Sequence, residues 1–148
     1  MSIGEVKKLL KKPDSSVVSV RSRAEFAGET SGYSYIEIKG DIPGAKWGHG
    51  GSEAQSMSDY HNPDGTMKSA TQIADMWSYH GIDESQEIAF YCGTGWRASE
   101  AFFYAWLMDW KQISVYDGGW YEWSSDPSNP IKETDDLSRI AKPEVLKE

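Results

Sequence analysis

A strand pattern that runs directly into a glycine-rich loop and then a helix most constrains how this chain can fold. Residues 87–91 have the composition of a buried strand, and residues 98–110 are strongly apolar and helix-forming. The loop between them is Cys92-Gly93-Thr94-Gly95-Trp96-Arg97. Strands that alternate with helices form α/β folds, which bind their ligands where the carboxyl ends of strands meet the first turns of helices. We therefore predict an α/β fold with its site at this loop.

Other strand and helix patterns alternate along the chain. They are helices at residues 3–11 and 69–79, a helical turn at 23–28, and strands at 16–20, 45–47 and 113–116. Ser2 and Ser69 each begin a capping box, in which a hydroxyl residue precedes an acid or amide by three positions. The segments 28–44 and 48–68 lack periodicity and are predicted to be loops. The helix at 98–110 is so apolar that we expect it to be buried on more than one side.

Composition excludes several classes of protein. The 148 residues include 23 acidic and 15 basic side chains, which gives a net charge of −8. A general binder of nucleic acid or anionic membrane needs a basic surface, so neither partner is expected. One cysteine and three histidines leave no internal disulfide and disfavour a structural zinc site. No apolar run approaches the ~20 residues of a membrane span, and the N-terminus is not a secretory signal, so we expect a cytoplasmic protein.

The loop has the features of a small anion site. Gly93 and Gly95 let the backbone turn tightly, so that successive N–H groups point inward beside the first turn of the helix. Positive potential at such a site favours the thiolate of Cys92, and Arg97 adds a fixed positive charge. The alternative is a buried structural cysteine, which is a common role for a free cysteine. The glycines, the arginine and the following helix favour the reactive interpretation.

Four further stretches, in a consistent order, carry a family resemblance. They are VVSVRSRAEF at 17–26, DIPGA at 41–45, FYCGTGWRAS at 90–99 and VYDGGWYEW at 115–123. On these motifs the chain resembles the rhodanese sulfurtransferases, most of all the catalytic second domain of tandem-domain thiosulfate or 3-mercaptopyruvate sulfurtransferases. The resemblance implies a rhodanese-like α/β fold with a central, five-stranded, mostly parallel sheet flanked by helices on both faces. It implies a single domain at 1–130, with a polar C-terminal extension at 131–148.

The resemblance also implies a reaction. Cys92 would attack the sulfane sulfur of thiosulfate and hold it as a persulfide, before cyanide or a thiol accepts it. The donor-binding residues would be Gly93, Thr94, Gly95, Trp96 and Arg97. The implied partners are a small anionic sulfur donor, a thiol or cyanide acceptor and a second rhodanese domain, with no metal or organic cofactor. Trp96 is expected to cover the anion as a lid.

Loop length separates this chain from related phosphatases. Four residues lie between Cys92 and Arg97, whereas dual-specificity phosphatases of the same fold have five, in a wider loop that fits phosphate. The loop resembles the mercaptopyruvate type at Gly93, Thr94 and Gly95, and it resembles the thiosulfate type at Trp96 and Arg97. The loop therefore does not distinguish thiosulfate from 3-mercaptopyruvate as the donor. A non-catalytic rhodanese-like binding module is the remaining alternative. Such modules commonly lack the cysteine, so the presence of Cys92 argues against it.

Several residues outside the loop are candidates for supporting the pocket. They are Arg21, Lys46 and His49. His49, His61 and His80 are also candidates for activating the thiol. Rhodaneses usually carry aspartate at the position of Ser19, so Arg21 is expected to find another partner. Many tandem enzymes carry a substrate-binding arginine at the position of Glu25, and that arginine is absent here.

Overall fold

A parallel four-stranded sheet forms the centre of the protein. The computed structural model describes residues 1–132. The strands are β1 (Ser15–Ser19), β2 (Lys46–Trp47), β3 (Glu87–Tyr91) and β4 (Ile113–Val115), in the order β2-β1-β3-β4. All pairings are parallel. The α/β class is therefore confirmed, and the described part of the chain has four strands in its sheet where five were expected.

The helices follow the predicted positions with two differences. They are α1 (Ile3–Leu9), α2 (Arg23–Phe26), α3 (Ala70–Tyr79), α4 (Trp96–Leu107) and α5 (Gly119–Ser125), with a short 3₁₀ helix at Ser58–Tyr60. Serine begins α1, α2 and α3, and each serine belongs to a complete capping box. The 3₁₀ helix lies in a segment predicted to be loop. The sequence analysis also assigned no helix to α5, because glycines precede it and aromatic residues dominate it.

Alternate residues of β3 face two separate cores. Ile88, Phe90 and Cys92 face the core that α3 and α4 cover. Ala89 and Tyr91 face the opposite core, which α1 and α5 cover. This alternation is the pleat of a strand, and it places helices on both faces of the sheet as predicted.

The outer surface of α4 corrects one expectation. Its inner face is buried against the sheet, but Phe103, Trp106 and Leu107 are exposed, Trp106 by 61%. The prediction that this helix is buried on more than one side is wrong. The reason is geometric, since the sheet and α3 cover one side of α4 and nothing in residues 1–132 covers the other.

The end of the described chain packs back onto the domain. The indole N–H of Trp123 donates to the Pro130 carbonyl at 2.8 Å, and Lys132 pairs with Asp41 in an isolated antiparallel bridge. Contacts thus continue to residue 132, and the rest of the predicted extension lies outside the described residues. The boundary at residue 130 stays a prediction. No helix within residues 1–132 is long and apolar enough to cross a membrane.

Strand register brings the functional motifs to one edge. Ser19, at the end of β1, lies level with Tyr91 at the end of β3, and it also pairs with Trp47 of β2. Because the strands are parallel, Arg21 and Cys92 follow their strands at the same edge of the sheet.

Candidate active site

The cysteine loop is closed around the sulfur atom. The backbone N–H of Gly95 donates to Sγ of Cys92 at 3.1 Å. Gly95 caps the start of α4 with φ +99°, a left-handed conformation that side chains rarely adopt. The sulfur therefore lies at the first turn of α4, where backbone N–H groups lack helical partners. Cys92 is completely buried.

The first turn of α5 holds the loop from the other side. The N–H groups of Trp120 and Tyr121 donate to the carbonyls of Cys92 and Gly93 at 2.9 and 3.0 Å. A Cβ on Gly119 would lie 2.5 Å from the Cys92 carbonyl oxygen, so only glycine permits this approach. In a trans peptide the N–H points opposite to the carbonyl. The N–H groups of Gly93 and Thr94 therefore point away from α5.

Arg97 is held by a buried carboxylate. Its two terminal nitrogens donate to the two oxygens of Glu25 at 2.8 and 3.0 Å, and Nη2 also donates to the hydroxyl of Tyr33 at 2.9 Å. Glu25 is fully buried and Arg97 is 5% exposed. Burial lowers the pKa of Arg97, but the hydrogen bonds and charge of Glu25 raise it more, so the net shift is upward. The guanidinium is thus a fixed positive charge.

Arg21 extends this network behind the loop. Its Nε lies 3.5 Å from Oε1 of Glu25, and its Nη1 donates to Asp41 at 3.0 Å and to the Gly40 carbonyl at 2.7 Å. Asp41 also accepts from the hydroxyls of Ser19 and Tyr91. Asp41 therefore supplies the carboxylate that the family usually carries at the position of Ser19. Arg21 supports the loop indirectly, through Glu25 and Arg97.

Tyr33 covers the loop. A Cβ on Gly93 would lie 2.2 Å from the ring of Tyr33, so the ring rests directly on the loop backbone. Burial raises the pKa of Tyr33, and the positive charge of Arg97 opposes the shift. Tyr33 also lines a cavity of about 380 Å³ between residues 22–25, 30–34 and 52–55. The residue thus belongs both to the cover of the cysteine loop and to the lining of this cavity.

The other predicted site residues lie in different surroundings. Thr94 is half-buried, and Trp96 is 85% exposed beside the loop. Lys46 is not brought to the loop, because its Nζ donates to Ser16 and to the Gly81 carbonyl. Ser16 is level with Ile88, four residues before the cysteine, which is roughly 13 Å along the strand.

The histidines form contacts of their own. His49 is buried, with Nδ1 3.1 Å from Asp59 and Nε2 3.1 Å from Nε2 of His80. Its ring stacks on Trp47 at 3.8 Å between centroids. His61 contacts Glu100 at 2.9 Å. The structure therefore joins no histidine to the sulfur, and it uses His49 and His80 to anchor the segment after β2 to the end of α3.

Comparison with known proteins decides the family. The model of the rhodanese-like domain matches residues 2–126. The chain is 59% identical over 131 residues to the thiosulfate sulfurtransferase YnjE of Escherichia coli, covering 88% of this chain and 30% of that protein. The chain belongs to the rhodanese family. The sulfur carrier protein TtuD of Thermus thermophilus is 31% identical over 131 residues, covering 82% of this rhodanese chain and 42% of TtuD.

Solved rhodanese structures match the fold closely. The crystal structure of YnjE superimposes with a TM-score of 0.88 and 53% identity over 99% of this chain and 34% of that one. A complex of EanB with hercynine gives a TM-score of 0.89 and 50% identity, over 92% of this chain and 32% of that one. This rhodanese chain spans about a third of the length of both proteins.

Three functional positions escaped the sequence analysis. They are Glu25, Tyr33 and Asp41, which contact the loop, Arg97 or Arg21 and lie far from Cys92 in sequence. Glu25 carried a signal, because an acid three residues after a serine indicates a capping box. Its carboxylate indeed accepts from Ser22 N–H. Tyr33 carried no signal, since it lies in an aperiodic segment.

We expect Tyr33→Ala to expose the sulfur. Loss of the ring that rests on Gly93 should speed alkylation of Cys92 by iodoacetamide by about tenfold or more, because the covering contact no longer has to open. Tyr33→Phe keeps the ring and should change the rate little. The chain has a single cysteine, so the rate reports this thiol alone. Tyr79→Ala, an exposed tyrosine on α3, is the control. Equal rates in all variants would show that Tyr33 does not shield the loop.

His80 is expected to stay neutral well below its ordinary range. Burial lowers its pKa to about 4, and the adjacent His49 contributes to the same shift. Because the folded pKa lies below the unfolded value of ~6.5, the fold should lose stability as pH falls from about 6.5 toward 4. An NMR titration of the His80 ring should show a midpoint near 4. His49→Gln should raise the His80 midpoint only part of the way toward 6.5, because His80 remains partly buried. A midpoint near 6.5 in the native protein would contradict the buried histidine pair.

Proposed function

We propose that this rhodanese domain is a sulfurtransferase that moves the sulfane sulfur of thiosulfate to cyanide or a thiol through a persulfide on Cys92. The observation that supports it most is the position of Sγ at the first turn of α4, with the Gly95 N–H 3.1 Å away. Backbone N–H groups in that position stabilise negative charge on a sulfur nucleophile. The activity of the 59% identical YnjE supports the same assignment.

The first step is attack by the Cys92 thiolate on the outer sulfur of thiosulfate. A new S–S bond forms, the original S–S bond breaks, and its electron pair leaves with sulfite. The outer sulfur then carries negative charge beside the loop amides, which stabilise it there. In the second step the acceptor attacks this sulfur, and the electron pair of the broken bond returns to Cys92. Two covalent half-reactions predict ping-pong kinetics.

The Nε of Arg97 is available to bind an anion. Its terminal nitrogens are used by Glu25 and Tyr33. Its Nε has no hydrogen-bond partner within residues 1–132, although it is buried. We assign donor binding to this N–H together with the backbone of Gly93, Thr94 and Gly95, and we place the exposed Trp96 at the rim. Buried donors without partners are costly, which supports a role in binding.

A second acceptor class has an observation in its favour. EanB, 50% identical to this chain, was solved in complex with hercynine, and a persulfide form was solved in a tetrahedral intermediate state with ergothioneine. An imidazole ring carbon is therefore the alternative acceptor. In such a step the sulfur replaces the hydrogen of that carbon, and the proton goes to the Cys92 sulfur.

A mass spectrum of the intact protein tests the proposal. Thiosulfate should add about 32 Da to Cys92, and cyanide should remove it with release of thiocyanate. Parallel incubation with 3-mercaptopyruvate identifies the better donor. A phosphatase or a non-catalytic module would acquire no such mass. An unchanged mass with both donors would therefore refute the sulfurtransferase assignment.

The wider setting of the domain stays a prediction. A second rhodanese domain as partner and a cytoplasmic location were expected from the sequence. The relatives that the chain matches are longer than the chain, which supports a multidomain setting for those relatives. Size-exclusion chromatography of this chain with the remaining part of such a relative would test the partnership.

A further inference from the structure

The cavity behind Tyr33 differs in charge from the cysteine loop. Its lining supplies the hydroxyls and amide of Ser22, Thr30, Ser34, Ser52 and Gln55. Its charged lining residues are both acidic, Glu25 and Glu53. The loop, by contrast, offers backbone N–H groups and the guanidinium of Arg97. An anionic donor therefore fits the loop and not the cavity.

The two acids of the cavity are not equivalent. Both carboxylate oxygens of Glu25 are bonded to Arg97, and Arg21 adds a second positive charge to the same group. Glu53 is exposed, and its carboxylate has no ion pair within the described chain. The lining of the cavity therefore carries one uncompensated negative charge, that of Glu53.

We propose that this cavity is the acceptor subsite and that it selects neutral or cationic thiols over anionic ones. The inference rests on the proposed persulfide chemistry. Tyr33 and Glu25 belong both to the cavity lining and to the contacts of the cysteine loop, so the cavity lies beside the residues that cover and hold the loop. The acceptor thiolate attacks the outer sulfur, the Cys92 S–S bond breaks, and its electron pair returns to Cys92. The free persulfide of the acceptor leaves, and no oxidant or reductant is consumed.

The second half-reaction measures this selectivity directly. The Cys92 persulfide is formed with thiosulfate, desalted and verified by its additional mass, and then mixed with cysteamine or mercaptoacetate. The two thiols are similar in size but opposite in charge. Each rate is compared with that of the same thiol on the unsubstituted protein, so intrinsic thiol reactivity cancels.

Glu53→Gln should lower the cysteamine-to-mercaptoacetate rate ratio by about threefold, and Glu53→Lys by about tenfold, as expected for one charge at a solvent-exposed wall. Both effects should weaken at high salt. Glu84→Gln makes the same charge change at an exposed position outside the cavity and should leave the ratio unchanged. None of the three should alter persulfide formation.

A steric variant gives an independent test. Ser52→Trp places an indole in the cavity mouth and should slow cysteamine by about fivefold or more, while the much smaller cyanide reacts as before. Two results would overturn this inference and leave the proposed function standing. In the first, the persulfide forms normally but the cysteamine-to-mercaptoacetate ratio is unchanged in the Glu53 variants. In the second, Ser52→Trp slows cyanide as much as it slows cysteamine. Failure of the persulfide to form would overturn the proposed function and this inference together.

Discussion

Cys92→Ser is expected to lower thiosulfate:cyanide sulfur transfer by roughly 10³-fold or more, the scale seen when a covalent nucleophile is removed. A serine hydroxyl is a poor nucleophile toward sulfur and forms no stable persulfide. The fold should persist, because serine is nearly isosteric with cysteine and the Gly95 N–H that now points to Sγ can donate to the hydroxyl. Thiocyanate release measures the activity, and thermal unfolding measures the fold.

A matched control tests whether a thiol at another position can replace Cys92. Cys92→Ser combined with Ser58→Cys returns one thiol to the chain at an exposed position away from the loop. This double variant should stay inactive, because its thiol has neither the α4 first turn nor the loop amides. Activity above a tenth of the native value in either variant would show that sulfur transfer does not depend on Cys92.

Glu25→Ala should have the largest effect on stability. The substitution leaves the guanidinium groups of Arg97 and Arg21 buried without their shared carboxylate. Breaking a buried ion pair by removing one partner costs about 3–5 kcal/mol. Urea unfolding should show this loss. Glu29→Ala removes an exposed acid just after α2 and should change the free energy of unfolding by less than about 0.5 kcal/mol.

The pairing of Glu25 with Arg97 and Arg21 also makes the stability of the protein depend on pH in acid. Burial raises the pKa of Glu25, but the hydrogen bonds and charge of Arg97, with the charge of Arg21, lower it more. The folded pKa thus lies below the unfolded value of ~4.3. The contribution of ionised Glu25 to the free energy of unfolding is complete above that value and is lost as pH falls through the folded pKa. Glu25→Ala should therefore be less sensitive to acid than the native protein below pH ~4.3. Equal acid sensitivity in both proteins would contradict the assigned pairing.

Local signals in the sequence were sufficient for most elements. Ser2 and Ser69 begin α1 and α3 as predicted, because a capping box satisfies the first helical N–H groups with residues only three positions apart. The β3 strand and the start of the site at Cys92 were predicted for a similar reason. The residues that determine them are contiguous in the chain, and Gly93 and Gly95 allow the backbone to turn tightly after the strand.

Long-range pairing was harder to predict. Arg97 is predicted to bind the donor, but no sequence pattern predicts that its terminal nitrogens also bind Glu25, 72 positions away. Lys46 and His49 were candidates for the pocket, but their partners are Ser16, Gly81, Asp59 and His80. A charge pattern in one sequence does not say which opposite charge will be adjacent, since adjacency depends on how the elements pack.

The sequence by itself determined the α/β class, the order of the elements and the loop that contains the sole cysteine. Each of these depends on residues close together in the chain, through hydrogen bonding, strand and helix periodicity and glycine conformation. Only the tertiary structure decided that Glu25 holds Arg97, that Tyr33 covers Gly93 and that α4 leaves Trp106 exposed. The physical reason is that parallel strands bring distant loops to one edge of a sheet, and the contacts formed there are set by register and packing.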